Sequence, residues 1–163
     1  MRIKFITTGG TIDKIYFDAL SQFEVGESVV QHILTDGLVD FDYEVSSPFR
    51  KDSLEITAED RETLRAYIEN DDGTRYVVTH GTDTMPETAE VLSTLSGNTI
   101  VLTGALTPAR FRTTDAVFNV GMAVATVQVA EPGVYIAMSG QVFEAGAVRK
   151  NRDANRFEAT GRS

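Results

Sequence analysis

The stretch YVVTHGTDTMPETAEVLSTLSGNTIVLTGALTP, residues 76–108, contains two apolar runs with a helix-like segment between them. YVVTH and TIVLTG are rich in β-branched residues and nearly free of polar alternation, as strands covered on both faces should be. Between them, Asp83 offers an N-cap, Pro86 suits a first helical turn and Gly97 a stop. A strand, a helix and a second strand in this order predict a parallel pair joined by a crossover.

Working outward, the same chemistry recurs. IKFIT at residues 3–7 and VYIAMSG at residues 134–140 are further buried-type strands, and VDFDYEVSS at residues 39–47 alternates, as a strand with one wetter face would. Residues 57–70 predict a helix: Thr57 and Asp60 form a capping-box pattern, and Leu64, Tyr67 and Ile68 share a face. Residues 113–133 predict a longer helix ending before Pro132, and residues 28–34 a weaker one. The fold class expected is α/β, a doubly wound, mostly parallel sheet with helices on both faces. Residues 13–26 and 141–163 are the least regular and are expected to be mobile or site-covering loops.

Composition sets the limits. A chain of 163 residues, 42% hydrophobic and 24% charged, is expected to fold as one domain, residues 1–163. The formal net charge of −9 repels nucleic acid and anionic membrane surfaces, so a small molecule or a protein is the expected partner. Cysteine is absent, which removes disulfides, thiol nucleophiles and thiolate metal sites. No leader pattern follows Met1 and no apolar run approaches about 18 residues. A cytoplasmic location is expected.

Four predicted strands end in hydroxyl and glycine residues: TTGGT, THGTDT, LTGALTP and MSGQ. In open parallel sheets, ligands bind beyond the carboxyl ends of the strands, so these turns should share one edge. Neither phosphate-loop glycine pattern is present, which disfavours nucleotides. A triad of His80, Asp83 and Ser139 has the right residue types but no G-x-S-x-G elbow, and His80 reads better as a strand-end residue bonded to backbone. Threonine remains. Its hydroxyl becomes a nucleophile when a base takes its proton, and a lysine of lowered pKa can be that base. The candidates are Thr11 and Thr82 with a lysine, and Asp83 to orient it.

TTGGTI, then THGTDTMPETA about seventy residues later, then VLTGALTP, resemble the catalytic domain of the bacterial-type L-asparaginase/glutaminase family. The resemblance covers nearly the whole chain. It implies an α/β threonine amidohydrolase that converts L-asparagine to L-aspartate and ammonia, with minor glutaminase activity. Thr11 is then the nucleophile, and Thr82, Asp83 and Lys150 form a second cluster. Tyr16 is the counterpart of a loop tyrosine near the nucleophile. Ser53, in KDSLEIT beside Asp52, would bind the substrate α-carboxylate, and Asp83 the α-ammonium. Gly10 and Gly81 belong to the substrate turns, and Ala105 matches a position whose carbonyl lies near the amide nitrogen. Neither a metal nor an organic cofactor is implied.

Full-length members carry a second domain that completes the neighbouring subunit's site. This chain stops where the linker to it would begin, which implies a single-domain version and a homo-oligomer. The arginine usual after T-G-A-[ML] is replaced by Thr107, which leaves the substrate preference open. Taken singly, Ser53 reads equally as a cap for the helix near Thr57, Asp83 as a cap for its own helix, and Lys150 as a solvated side chain. A non-catalytic amino-acid-binding domain and an amidase for a different amide are the alternative functions.

Overall fold

A computed structural model describes residues 1–17, 22–26 and 28–161, with backbone alone for residues 16–17 and 22–25. Five strands form its parallel core: β1 (Arg2–Thr7), β4 (Asp42–Ser46), β5 (Arg75–Thr79), β6 (Thr99–Thr103) and β7 (Gly133–Met138). β2 (Lys14–Phe17) and β3 (Gln22–Val25) form a separate antiparallel pair, as do β9 (Val148–Asn151) and β10 (Arg156–Ala159). β8 (Gln141–Glu144) closes the main sheet antiparallel to β7, giving the order β4-β1-β5-β6-β7-β8.

The helices are α1 (Val30–Asp36), α2 (Ala58–Glu69), α3 (Met85–Leu92) and α4 (Ala116–Val129). Alternate residues of each core strand feed opposite layers. Val78, Ile100 and Leu102 pack with Leu64 and Ile68 of α2 and with Met85, Ala89 and Leu92 of α3. Phe5, Val77 and Val101 pack with Val30 and Leu34 of α1 and with Ala123 and Val127 of α4. The expected doubly wound α/β sheet is therefore present, and its near-continuous apolar strands follow from burial on two sides.

Several boundaries differ from the sequence expectation. The N-cap of α3 is Thr84 rather than Asp83, and α3 ends at Leu92, with Ser93 its C-cap, well before Gly97. Helix α2 starts where its capping box predicts, with the Thr57 hydroxyl accepting from the Asp60 N–H. Ser53 is therefore not the cap of α2. Residues 13–26 and 141–163 are not simply loops, since their described parts hold β2, β3, β8, β9 and β10. Ser139 and Gly140, with φ of 52° and 83°, make the tight corner between β7 and β8. Such paired positive angles match the right-handed twist of a hairpin.

Chain order and strand order together locate a crevice. From β1 the chain moves to one side for β4, then returns across β1 to lay down β5, β6 and β7 on the other side. The reversal falls between β1 and β5. Connections leaving those two strands diverge to opposite faces, and the gap beyond their carboxyl ends is where this class of sheet holds ligands.

Candidate active site

The turn after β1 and the turn after β5 meet at that gap through their glycines. Gly10 has φ 94° and ψ −173°, a conformation essentially confined to glycine. A Cβ on it would stand 2.4 Å from the Gly81 nitrogen, and one on Gly81 would stand 2.5 Å from the Ser53 Cβ. Three segments distant in sequence thus lie backbone against backbone, in the order Gly10, Gly81, Ser53. Thr11 and Thr82 each follow one of the touching glycines, so both threonines are carried to the same crevice.

Hydrogen bonds fix this packing. The Thr8 N–H and hydroxyl both donate to the Thr79 carbonyl, at 3.0 and 2.9 Å, and the Lys51 N–H donates to the Thr8 carbonyl at 2.9 Å. The Thr84 hydroxyl donates to the Ser53 carbonyl at 2.8 Å, tying the start of α3 to the buried Ser53 turn. Asp52 accepts from the Leu54 N–H and pairs with Lys14 Nζ at 2.7 Å. It therefore links that turn to the β2–β3 hairpin.

The second cluster is assembled by the β9–β10 hairpin. Lys150 Nζ lies 2.6 Å from the Thr82 hydroxyl oxygen and 3.6 Å from Asp83 Oδ1. Its side chain is only 5% exposed and its ammonium stands 5.7 Å from the centre of the Phe157 ring across the hairpin. Burial pushes the Lys150 pKa down and the Arg152 charge adds to that, while Asp83 works in the opposite direction. Among the described residues no group hydrogen-bonds the Thr11 hydroxyl, so the two threonines differ: Thr82 is engaged by a lysine and Thr11 is not.

His80 does structural work. Its Nδ1 is 2.7 Å from the Gly81 carbonyl, which can only accept, so Nδ1 carries the proton and Nε2 accepts from the Thr88 hydroxyl at 2.9 Å. Arg61 Nε donates to that same hydroxyl at 3.1 Å. The expectation of a backbone-bonded histidine holds, and Ser139 is spent in the β7–β8 corner. Burial lowers the His80 pKa to about 4 from 6.5, with a contribution from the Arg61 charge, against the Gly81 bond. Between those values the unfolded chain takes up the proton and the folded one does not. This term is absent at neutral pH, and stability falls by about 3 kcal/mol as the pH drops from 7 to 4. Thermal unfolding of wild type and His80→Asn across that range is expected to show the gap between them narrowing in acid; a constant gap would contradict the assignment.

Ala105 is buried just beyond β6. What holds its turn was not anticipated. The Asp115 carboxylate accepts from the Leu106 and Thr107 N–H groups, and Asn119 spans the Gly104 carbonyl and the Ser139 N–H. Asp13 is the other omission: this buried carboxylate accepts from the Val29 N–H at 2.9 Å, and burial raises its pKa. TTDAVFN and TIDK advertise polar residues, but not that they face inward. Tyr16 lies in β2, and its side chain falls outside the described part.

The residues predicted as a site therefore group as follows: Gly10, Thr11, Ser53, Gly81 and Thr82 meet at the crevice, Lys150 and Asp83 join Thr82, and Asp52 buttresses the Ser53 turn. Among the described residues there is no group of three or more histidines and carboxylates able to hold a metal, and no helix is long and apolar enough to cross a membrane.

The family model described as "Asparaginase, N-terminal" matches residues 2–161. An L-asparaginase of Thermococcus kodakarensis is 35% identical over 104 residues, which make up 61% of this chain and 32% of that protein. A "Probable L-asparaginase periplasmic" of Haemophilus influenzae is 37% identical over 92 residues, 53% of this chain and 26% of the other. Among solved structures, the thermostable L-asparaginase from Thermococcus kodakarensis superposes with a TM-score of 0.83 at 27% identity. It covers 98% of this chain and 51% of its own. A "Probable Cytoplasmic L-asparaginase" from Campylobacter jejuni gives 0.75 at 30% identity, over 97% and 51%. The chain thus spans about a third or less of the curated relatives it matches and about half of the solved chains.

Proposed function

Because the chain belongs to the asparaginase family, through the N-terminal domain of that family, we propose that it is an amidohydrolase converting L-asparagine to L-aspartate and ammonia, with minor action on L-glutamine. The observation that carries this reading is the Lys150–Thr82–Asp83 cluster, at 2.6 and 3.6 Å, set beside the Gly10–Gly81 contact that brings Thr11 to the same crevice.

In this reading Thr11 Oγ1 attacks the side-chain amide carbon. Its proton passes through Tyr16 or through the Thr82–Lys150 pair to the leaving nitrogen. The carbon–nitrogen bond breaks, ammonia departs, and water then hydrolyses the ester on Thr11 to regenerate the hydroxyl. A lysine kept below its ordinary pKa by burial suits the role of acceptor for the Thr82 proton. Main-chain N–H groups of the glycine turns hold the developing oxyanion, a contribution of about 3–4 kcal/mol in comparable sites. Ser53 meets the α-carboxylate, with Gly10, Gly81 and Asp52 shaping that end, Asp83 meets the α-ammonium, and the Ala105 carbonyl lies by the amide nitrogen.

Residues 1–163 act as a single catalytic domain in this proposal, and the protein works as a homo-oligomer. Self-association is supported by the exposed Val117, Phe118 and Val129 of α4. The relatives are described as both cytoplasmic and periplasmic, and a cytoplasmic location remains our proposal.

The test is ammonia release from millimolar L-asparagine, L-glutamine and larger amides, with Lys150→Met alongside and sedimentation on the same preparation. Asparagine turnover that falls about a hundredfold or more in Lys150→Met is expected. Calorimetric binding of asparagine or aspartate without turnover would instead favour a binding domain, and turnover of the larger amides alone a different amidase.

A further inference from the structure

Arg152 has no part in the sequence expectation, yet it reaches the carboxylate that faces Lys150. It occupies the turn between β9 and β10, two residues after Lys150. Its Nε stands 3.9 Å from Asp83 Oδ1, the same oxygen that Lys150 Nζ approaches to 3.6 Å, and its Nη2 donates to the Asp83 carbonyl at 3.5 Å. The turn that presents it is held from within, because Asn151 Oδ1 accepts from the Ala154 N–H at 3.0 Å. Two cations from one hairpin thus converge on a single carboxylate.

We propose that Arg152 is a positioning residue that shares the Asp83 carboxylate with Lys150, so that the lysine is less firmly paired with its counter-ion when the site is to act. This rests on the catalytic reading of the Lys150–Thr82 pair.

Among the described ion pairs, the other charges near Lys150 do not contact Asp83. Glu87 and Glu90 of α3 and Arg149 of β9 line a recess of about 350 Å³ that Asp83, Lys150 and Arg152 also border. Across the hairpin, Glu158 is taken up by Arg149 and Arg156, at 3.2 and 2.8 Å. Arg152 is the cation that shares an Asp83 oxygen with Lys150. Its side chain is 60% exposed, so the effect is moderated by solvent but its replacement leaves the core intact.

The chain has only four lysines, Lys4, Lys14, Lys51 and Lys150. Lysine labelled with 13C at the ε position therefore gives few signals, and Lys150→Arg identifies the one in question. In Arg152→Gln the Lys150 titration is expected to move up by about half a pH unit, and the acidic limb of kcat/KM for L-asparagine to move with it. Arg152→Lys, which keeps the charge, is expected to titrate close to wild type. An unchanged Lys150 midpoint in Arg152→Gln would overturn the proposal. So would equal shifts in both variants, since that would mean the turn and not the charge matters. The NMR readout needs no turnover, so an inactive wild type would refute the asparaginase reading without deciding the role of Arg152.

Discussion

Thr11→Ala is expected to lower ammonia release from L-asparagine by about a thousandfold or more, with the fold intact. Thr11 is partly exposed, its hydroxyl bonds no group among the described residues, and it follows Gly10 at the mouth of the crevice. In the proposed mechanism, removing that oxygen leaves no atom to form the acyl intermediate, whereas removing an orienting group leaves a slower version of the same chemistry. Thr11→Ser keeps the oxygen and is expected to retain part of the activity. Single-turnover mixing of each variant with asparagine separates loss of chemistry from loss of binding. Equal ammonia release by wild type and Thr11→Ala would remove Thr11 from the mechanism and turn attention to Thr82.

The second large effect is on stability. Gly10→Ala is expected to cost about 3–5 kcal/mol, combining a conformation reserved for glycine with a methyl placed against main chain. At 2.4 Å from the Gly81 nitrogen, the new Cβ has no flexible side chain to push aside. Gly97→Ala separates the two terms: Gly97 also has positive φ, at 80°, but a Cβ there would meet nothing within 4 Å. Its expected cost is about 1 kcal/mol, from strain alone. Urea unfolding of both variants reads the difference, and similar losses would show that the contact between the two turns is not what the glycine serves.

The parallel strands were legible because burial on both faces writes itself as continuous Val, Ile and Leu. α2 was legible because Thr57 and Asp60 satisfy backbone groups of a defined turn, a local requirement. The end of α3 was not, since Ser93 and Leu95 still look helical and Gly97 is the first conspicuous stop. The strands β8, β9 and β10 were missed because each is four residues long with a single buried position, so no apolar period marks them. The Ser-Gly pair at 139–140 was the available sign of a hairpin.

At the site, Thr11, Thr82 and Lys150 were named from motifs, but their meeting depends on distant pairing. Asp115 and Asn119 could not be recognised as braces for the turns after β6 and β7. A polar residue near a helix start looks the same in sequence whether it faces water or spans two backbones.

Strand β1 lies in the interior of the sheet. β1 pairs with β4, whose register sets Ile3 opposite Tyr43, and with β5, which sets Phe5 opposite Val77. While the chain emerges during synthesis, one edge of β1 has no native partner until about forty residues have followed, and the other until more than seventy have. Such non-local pairing slows folding and leaves an apolar edge open to other chains in the meantime. Lys150 arrives later still, bonded to a threonine 68 positions before it. The order of synthesis therefore builds the floor of the crevice before its lysine, and a nascent chain stopped short of β9 holds both threonines without the group that distinguishes them.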